Sequence, residues 1–351
     1  MWVLTSGAAL GALGSLLAYL GNPPNSGICI SCFLENTAGA LGLHPNARMQ
    51  YLRPELLGFL LGSAVMALAT REFRPRWRGS GAALVGFGFL MILGSAVFIG
   101  CPIKALLRLA AGDLTAVPAF AGLGFGIWVG LKLLAQGGAG LEGLEAAARP
   151  GSPPRLVALG PVALAAALLA LAFVPGALLE STGGGGSLHA PRAVSLGAGL
   201  LLGALCQRSR FCVTGSLRDL LLTRSLGPVA ALSAALAAAA TLNAFTGQFR
   251  LGYHDQPGTH LEWLWSGLGM ALVGLAAVLA GGCPFRQIVK AGEGDLDAGL
   301  VGVGMVLGAA LVQTWGLGAT TSGVPAAGKV ATLVGLAALL SFGLRKSEER
   351  G

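Results

Sequence analysis

A chain of 351 residues, 54% hydrophobic and only 11% charged, cannot be folded as a water-soluble pair of domains, because its surface would lack polar cover. The net charge of +8 does not indicate nucleic acid, since the basic residues lie in short loops and no basic face is interleaved with aromatics. Both features describe an all-α polytopic protein whose main solvent is lipid, and 57 glycines suit a bundle of closely approaching helices.

In chain order, Met1 runs directly into an apolar segment with no basic n-region or small-residue cleavage site, so residues 2–20 are expected to form a retained helix. About 20 apolar residues cross a hydrocarbon core at 1.5 Å each. Such segments recur near 52–70, 81–99, 117–134 and 156–174, then near 192–206, 228–246, 263–281, 298–316 and 328–344, about ten transmembrane helices in all. Arg71, Arg74, Arg76 and Arg78 share one side with Arg149, Arg155, Arg208, Arg210, Arg218, Arg224, Arg345 and Lys346. The loops around 176–191, 247–262 and 317–327 carry few basic residues, so the positive-inside rule places both termini in the cytoplasm.

Shorter apolar segments with Gly, Pro or Cys starts lie between the spans, and two of them match. Gly100-Cys101-Pro102-Ile103-Lys104 followed by Gly112-Asp113-Leu114 recurs 182 residues later as Gly282-Cys283-Pro284-Phe285-Arg286 followed by Gly294-Asp295-Leu296. Ser26-Gly27-Ile28-Cys29 matches Ser209-Arg210-Phe211-Cys212 more weakly, at an offset of 183. Two pairs at nearly one offset indicate a duplicated chain. The expected organisation is a first membrane repeat over 1–134, a linker with one connecting helix over 135–191, a second repeat over 192–327, and a final helix with a cytoplasmic tail over 328–351. Pro150, Pro153 and Pro154, and the Gly183–Gly186 run, read as connectors on either side of the connecting helix.

Four spans followed by one connecting helix invert the second repeat. Short half-helices starting near Cys29 and Cys101 then enter from outside, those near Cys212 and Cys283 from the cytoplasm, and all four converge near the midplane. Non-helical backbone at that depth is tolerated only where protein buries it or a cavity solvates it, so the four starts define a substrate pathway. Proline at a first helical position puts Cys101 and Cys283 at half-helix N-termini, where free N–H groups and the helix dipole favour anions. Lys104, Arg108, Arg286 and Lys290 add positive charge within two turns. Protonated thiols there would act as weak donors to a soft anion and release it easily, as conduction through sites in series requires.

Other polar residues read more plainly. Cys206 has no repeat partner and is a core residue, and His254 and His260 belong to a polar loop rather than a metal site. Asp113 and Asp295 cap or pair with a basic residue, and Asn243 and Gln313 make interhelical hydrogen bonds. Cys29-Ile30-Ser31-Cys32 is a Cys-x-x-Cys that supports a competing reading, a membrane thiol–disulfide oxidoreductase using Cys29 and Cys32. A purely structural membrane subunit is the third reading. No nucleophile triad, phosphate loop or dinucleotide fingerprint is present, so the chain reads as a non-enzyme without cofactor or metal.

The segment Gly21-Asn22-Pro23-Pro24-Asn25-Ser26-Gly27-Ile28-Cys29-Ile30-Ser31-Cys32-Phe33, continuing to His44, and the paired Gly-Cys-Pro motifs resemble the YeeE/YedE family of sulfur transporters over essentially the whole chain. The segment looks like the selenium-associated YedE branch. The resemblance implies a pseudo-two-fold bundle in a bacterial inner membrane that imports a thiosulfate-like anion or a selenium species. It implies that Cys29, Cys101 and Cys283 contact the ion, with Cys212 assigned from the internal repeat alone. Cys32 departs from the thiosulfate branch. A small cytoplasmic TusA-like carrier protein is the partner implied.

Overall fold

The computed structural model describes residues 1–77, 81–137 and 153–345. Arg78, Arg149, Pro150 and Lys346 lie outside the described residues. Fifteen helices are described: α1 (Trp2–Tyr19), α2 (Ile30–Ala40), α3 (Pro54–Ala69), α4 (Gly81–Phe98), α5 (Pro102–Ala110), α6 (Ala116–Ala135), α7 (Arg155–Ala158) and α8 (Gly160–Leu171), then α9 (Arg192–Ser209), α10 (Val213–Thr223), α11 (Leu226–Phe245), α12 (Trp263–Leu279), α13 (Pro284–Gly292), α14 (Leu296–Thr314) and α15 (Ala326–Leu344).

Among the described residues, seven segments are long and apolar enough to cross a membrane. They are α1, α6, α11, α14, α15 and two 30-residue stretches in which α4 runs into α5 and α12 into α13. The remaining expected spans are helical but shorter or more polar. α3 has 16 residues, α9 ends on Gln207-Arg208-Ser209, and the segment expected over 156–174 is interrupted before Gly160-Pro161. Proline lacks the N–H that a continuous helix would need there. Outward positions carry large apolar side chains such as Phe125, Leu164, Val330 and Val334, which suits a lipid-facing surface.

The packing repeats itself. α3 lies on α9 and its counterpart α11 on α1, while α6 lies on α12 and its counterpart α14 on α4. α4 and α12 pack on each other across the pseudo-two-fold axis. A Cβ at Gly94 would lie 2.3 Å from the Gly269 carbonyl oxygen, and one at Gly269 would lie 2.7 Å from that of Gly94, so only glycine permits this crossing.

The loops obey the same symmetry. Arg74 and Arg76 donate their N–H groups to the carbonyls of Glu293 and Gly294, and Leu296 donates back to Arg76. In the other half Arg250 and Gly252 donate to Ala111 and Gly112, and Leu114 donates back to Gly252. Each half thus ties the loop after one long helix to the end of the other half's nine-residue helix.

Candidate substrate pathway

All four expected half-helices begin on a cysteine. Cys29 and Cys212 are N-caps with extended backbone, and each sulfur accepts a backbone N–H at 3.4 Å, from Cys32 and Gly215 respectively. Cys101 and Cys283 are N-caps followed by proline. α2 and α10 have 11 residues each and α5 and α13 nine. At 1.5 Å per residue these are about 14–17 Å long, roughly half of a bilayer core, so none spans.

The sulfurs form two symmetry-related groups. In the first, Ile30 donates its N–H to Cys101 Sγ at 3.3 Å, and Cys29 Sγ lies 2.6 Å from Cys32 Sγ and 3.3 Å from Ser31 Oγ. In the second, Cys212 Sγ lies 3.4 Å from Cys283 Sγ and 3.2 Å from Thr214 Oγ1. Cys29, Cys101, Cys212 and Cys283 are all buried in one continuous core. Cys206 shares that core and, among the described residues, its sulfur has no hydrogen-bond partner, as suits a space-filling residue.

A cavity reaches each group. One of about 730 Å³ is lined by Cys32, Glu35, Arg48, Ala96, Ile99 and Glu262, among others. The second, of about 290 Å³, is lined by Arg210, Cys212, Gly215, Gly281, Gly282 and Arg286, among others. Glu262 precedes α12 and Gly281 follows it, so the cavities sit at opposite ends of one helix about 26 Å long. Ala96 and Ile99, at the C-terminal end of α4, share a cavity with Glu262 at the N-terminal end of α12. The two counterpart helices therefore run in opposite directions, which is the inversion expected from the odd connecting helix.

The turn before each Gly-Cys-Pro motif is left-handed. Gly281 has φ 71°, which glycine adopts freely, whereas its counterpart Ile99 has φ 61° and a β-branched side chain. Ile99 lines the larger cavity, so the strained turn forms part of its wall.

The four basic residues divide sharply. Arg108 is buried and fully engaged: Nε donates to Asp113 Oδ2 at 2.6 Å, one terminal nitrogen to Thr115 Oγ1 at 2.5 Å and the other to the Phe98 carbonyl at 3.2 Å. Lys290, its counterpart, lies 3.4 Å from Asp295. Arg286 pairs with Glu293 at 2.9 Å, and Glu293 also accepts from Arg210. Lys104 instead points its ammonium at Cys32 Sγ, 4.0 Å away. Three of the four expected anion-attracting side chains therefore serve carboxylates, and Lys104 faces the cavity cysteine. Asp113 and Asp295 pair with basic residues as expected, and Asp295 also caps α14 through the Ala298 N–H.

Near the smaller cavity, Glu72 in the loop after α3 accepts from Gln207 Nε2, Arg208 and Arg210. The Gln207 amide foremost, then Arg210 and Arg208, holds its carboxyl below the usual carboxylate range.

Gln313 makes the expected interhelical hydrogen bond, donating to Glu35 Oε2 while Asn46 donates to Gln313 Oε1 at 2.7 Å. Asn243 does not: it is buried, but its backbone carbonyl, not its side chain, takes the N–H groups of Gln248 and Phe249. His260 is committed to structure, with Nε2 donating to the Val97 carbonyl at 2.8 Å and Nδ1 accepting the Glu262 N–H. Glu35 and Arg53 escaped the sequence reading. Arg53 Nε donates to Asn36 Oδ1 at 2.7 Å and a terminal nitrogen to the Gly185 carbonyl at 2.7 Å, pinning α2 to the glycine loop. The available signal was a charged residue inside an apolar segment, which in a membrane protein marks function by default.

Residues 208–344 match the family model described as sulphur transport, a span holding Cys212, the second Gly-Cys-Pro motif and α15. The thiosulfate transporter TsuA of Escherichia coli strain K12 is 35% identical over 99 residues, 27% of this chain and 27% of that protein. The chain thus aligns with about a quarter of the length of this relative. Over these stretches the chain is similar to sulphur transport proteins, in line with its YeeE/YedE resemblance.

Proposed function

We propose that this protein carries a small sulfur oxyanion of the thiosulfate class across the bacterial inner membrane, between the two cavities and past the four N-cap cysteines. The supporting observation is that opposed cavities each end on one of two symmetry-related sulfur groups. An anion leaving water meets Lys104 and Cys32, then the N-termini of α2 and α5, then those of α10 and α13. Each supplies N–H groups and S–H donors but no fixed full charge beyond Lys104, so binding at each step stays moderate and the ion moves on. Cys29, Cys101, Cys283 and Cys212 are the relay, the larger cavity the outer mouth and the smaller the cytoplasmic one. The arginines near the cytoplasmic mouth suit hand-over to an acidic face of a TusA-like carrier. A selenium oxyanion fits the same soft donors.

Labelled thiosulfate uptake into liposomes holding the purified protein tests this reading. Uptake that requires the protein and is lost in both Cys101→Ala and Cys283→Ala supports it; equal uptake by both variants and wild type would sink the relay. The contact between Cys29 and Cys32 sulfurs also favours a second reading, a thiol–disulfide exchange centre. It predicts an oxidant-dependent mobility shift that Cys32→Ser abolishes, with no net solute flux.

A further inference from the structure

Glu35 lies on α2 one turn beyond Cys32, is 7% exposed and lines the larger cavity. The partner of its carboxylate is an amide, Gln313, itself oriented by Asn46. Lys104 on α5 points its ammonium at Cys32 Sγ, 4.0 Å away and one turn before Glu35 on α2. The other charged or titratable groups facing this space are Cys32 on the same helix, Arg48 in the following loop and Glu262 on the far wall, where Lys329 pairs with it at 2.6 Å. His44 is tied to the Glu35 backbone, its Nε2 donating to the carbonyl at 2.9 Å.

A carboxylate here opposes the cavity's proposed occupant. A dianion beside Lys104 is only half neutralised, and an ionised Glu35 close by would add a third negative charge in a poorly solvated place. The cheapest relief is a proton on Glu35. A neutral carboxyl still accepts the Gln313 N–H on one oxygen and gains an O–H donor on the other, which can point to the anion.

We propose that Cys32, Glu35 and Lys104 form a proton-linked anion subsite, in which a dianion of the thiosulfate class seats against the Lys104 ammonium while Glu35 takes up one proton. This rests on the sulfur-anion reading above. No bond of the anion changes: hydronium or a buffer acid reaching the cavity gives its proton to a Glu35 carboxylate oxygen as the anion arrives, and the carboxyl O–H releases it to water when the anion leaves. Linkage is reciprocal, so if the anion favours the protonated carboxyl, low external pH must tighten anion binding by the same factor.

The test is binding of labelled thiosulfate to the purified protein from about pH 5.5 to about pH 8.5, a range in which thiosulfate remains a dianion. Affinity should fall with rising pH, approaching about tenfold per unit where one proton is linked to one anion. Glu35→Gln should flatten the dependence and Glu35→Asp should keep it. An unchanged slope in Glu35→Gln, or no slope in the wild type, overturns the proposal. Proton uptake by the wild type on mixing with thiosulfate in weak buffer, at the pH where affinity changes most steeply, gives an independent check that needs no variant: up to about one proton per anion is expected, and none overturns the proposal. Absence of thiosulfate binding at every pH overturns the sulfur-anion reading and this inference together, whereas pH-independent binding overturns this inference alone.

Discussion

Cys212 and Cys283 stand 71 residues apart in sequence, yet their sulfurs lie 3.4 Å from one another at the N-termini of two half-helices. The counterpart half-helices meet in the same way, Ile30 donating its N–H to Cys101 Sγ at 3.3 Å. A relay made of these groups should be sensitive to each member and indifferent to other thiols in the same core. Cys212→Ala and Cys283→Ala are expected to lower thiosulfate uptake at least about tenfold, the loss of one ~1.4 kcal/mol interaction at the rate-limiting site. Cys206→Ala, equally buried but without a hydrogen bond, should leave uptake within about twofold and cost ~1 kcal/mol of stability or less. Initial rates in liposomes and thermal unfolding in detergent separate the two effects.

The left-handed turn before each motif offers an internal comparison. Gly281 occupies it without strain, so Gly281→Ala should lower stability by ~1 kcal/mol through its positive φ alone. Its counterpart Ile99 already carries that cost. Thermal unfolding of Gly281→Ala measures the strain that the native chain accepts at Ile99.

The two ion pairs that close the nine-residue helices differ in burial. Arg108 and Asp113 are 1% and 0% exposed, whereas Lys290 and Asp295 are 13% and 4% exposed. Removing one partner of a deeply buried pair strands the other, so Asp113→Ala should destabilise by ~3–5 kcal/mol, or prevent folding. Lys290→Met, at a looser contact of 3.4 Å, should cost clearly less. Expression level with fluorescence-detected elution, followed by thermal unfolding where protein is obtained, gives the ranking.

The network around Glu72 predicts an acid-side effect. Its carboxyl is held below the usual range in the folded protein, chiefly by the Gln207 amide, so this contribution is complete above the unfolded-state value. It fades as pH falls through the depressed folded-state value. Glu72→Gln should therefore cost ~0.5–1 kcal/mol near neutral pH, the usual worth of partly exposed ion pairs, and nothing in strong acid. Thermal unfolding of variant and wild type across the acid range should show the curves converging.

Much of the architecture was determined by local sequence. Proline is favoured at a first helical position, because its ring presets φ and the first turn does not use the N–H it lacks. The repeated Gly-Cys-Pro motif therefore fixed both nine-residue helices, and the spacing from Arg108 to Asp113 and from Lys290 to Asp295 fixed a charge pair at each helix end. The common offset of the two motif pairs marked the duplicated halves. What a side chain meets from distant parts of the chain was decided only by tertiary packing. Arg286 and Lys104 occupy the same repeat position, yet Arg286 is held by Glu293 while Lys104 faces Cys32. Glu35 has its amide partner 278 residues away on α14. A helix start depends on three or four neighbouring residues and is written where they are written. The charge that remains free to meet a solute depends on which helices converge, and no local spacing encodes that.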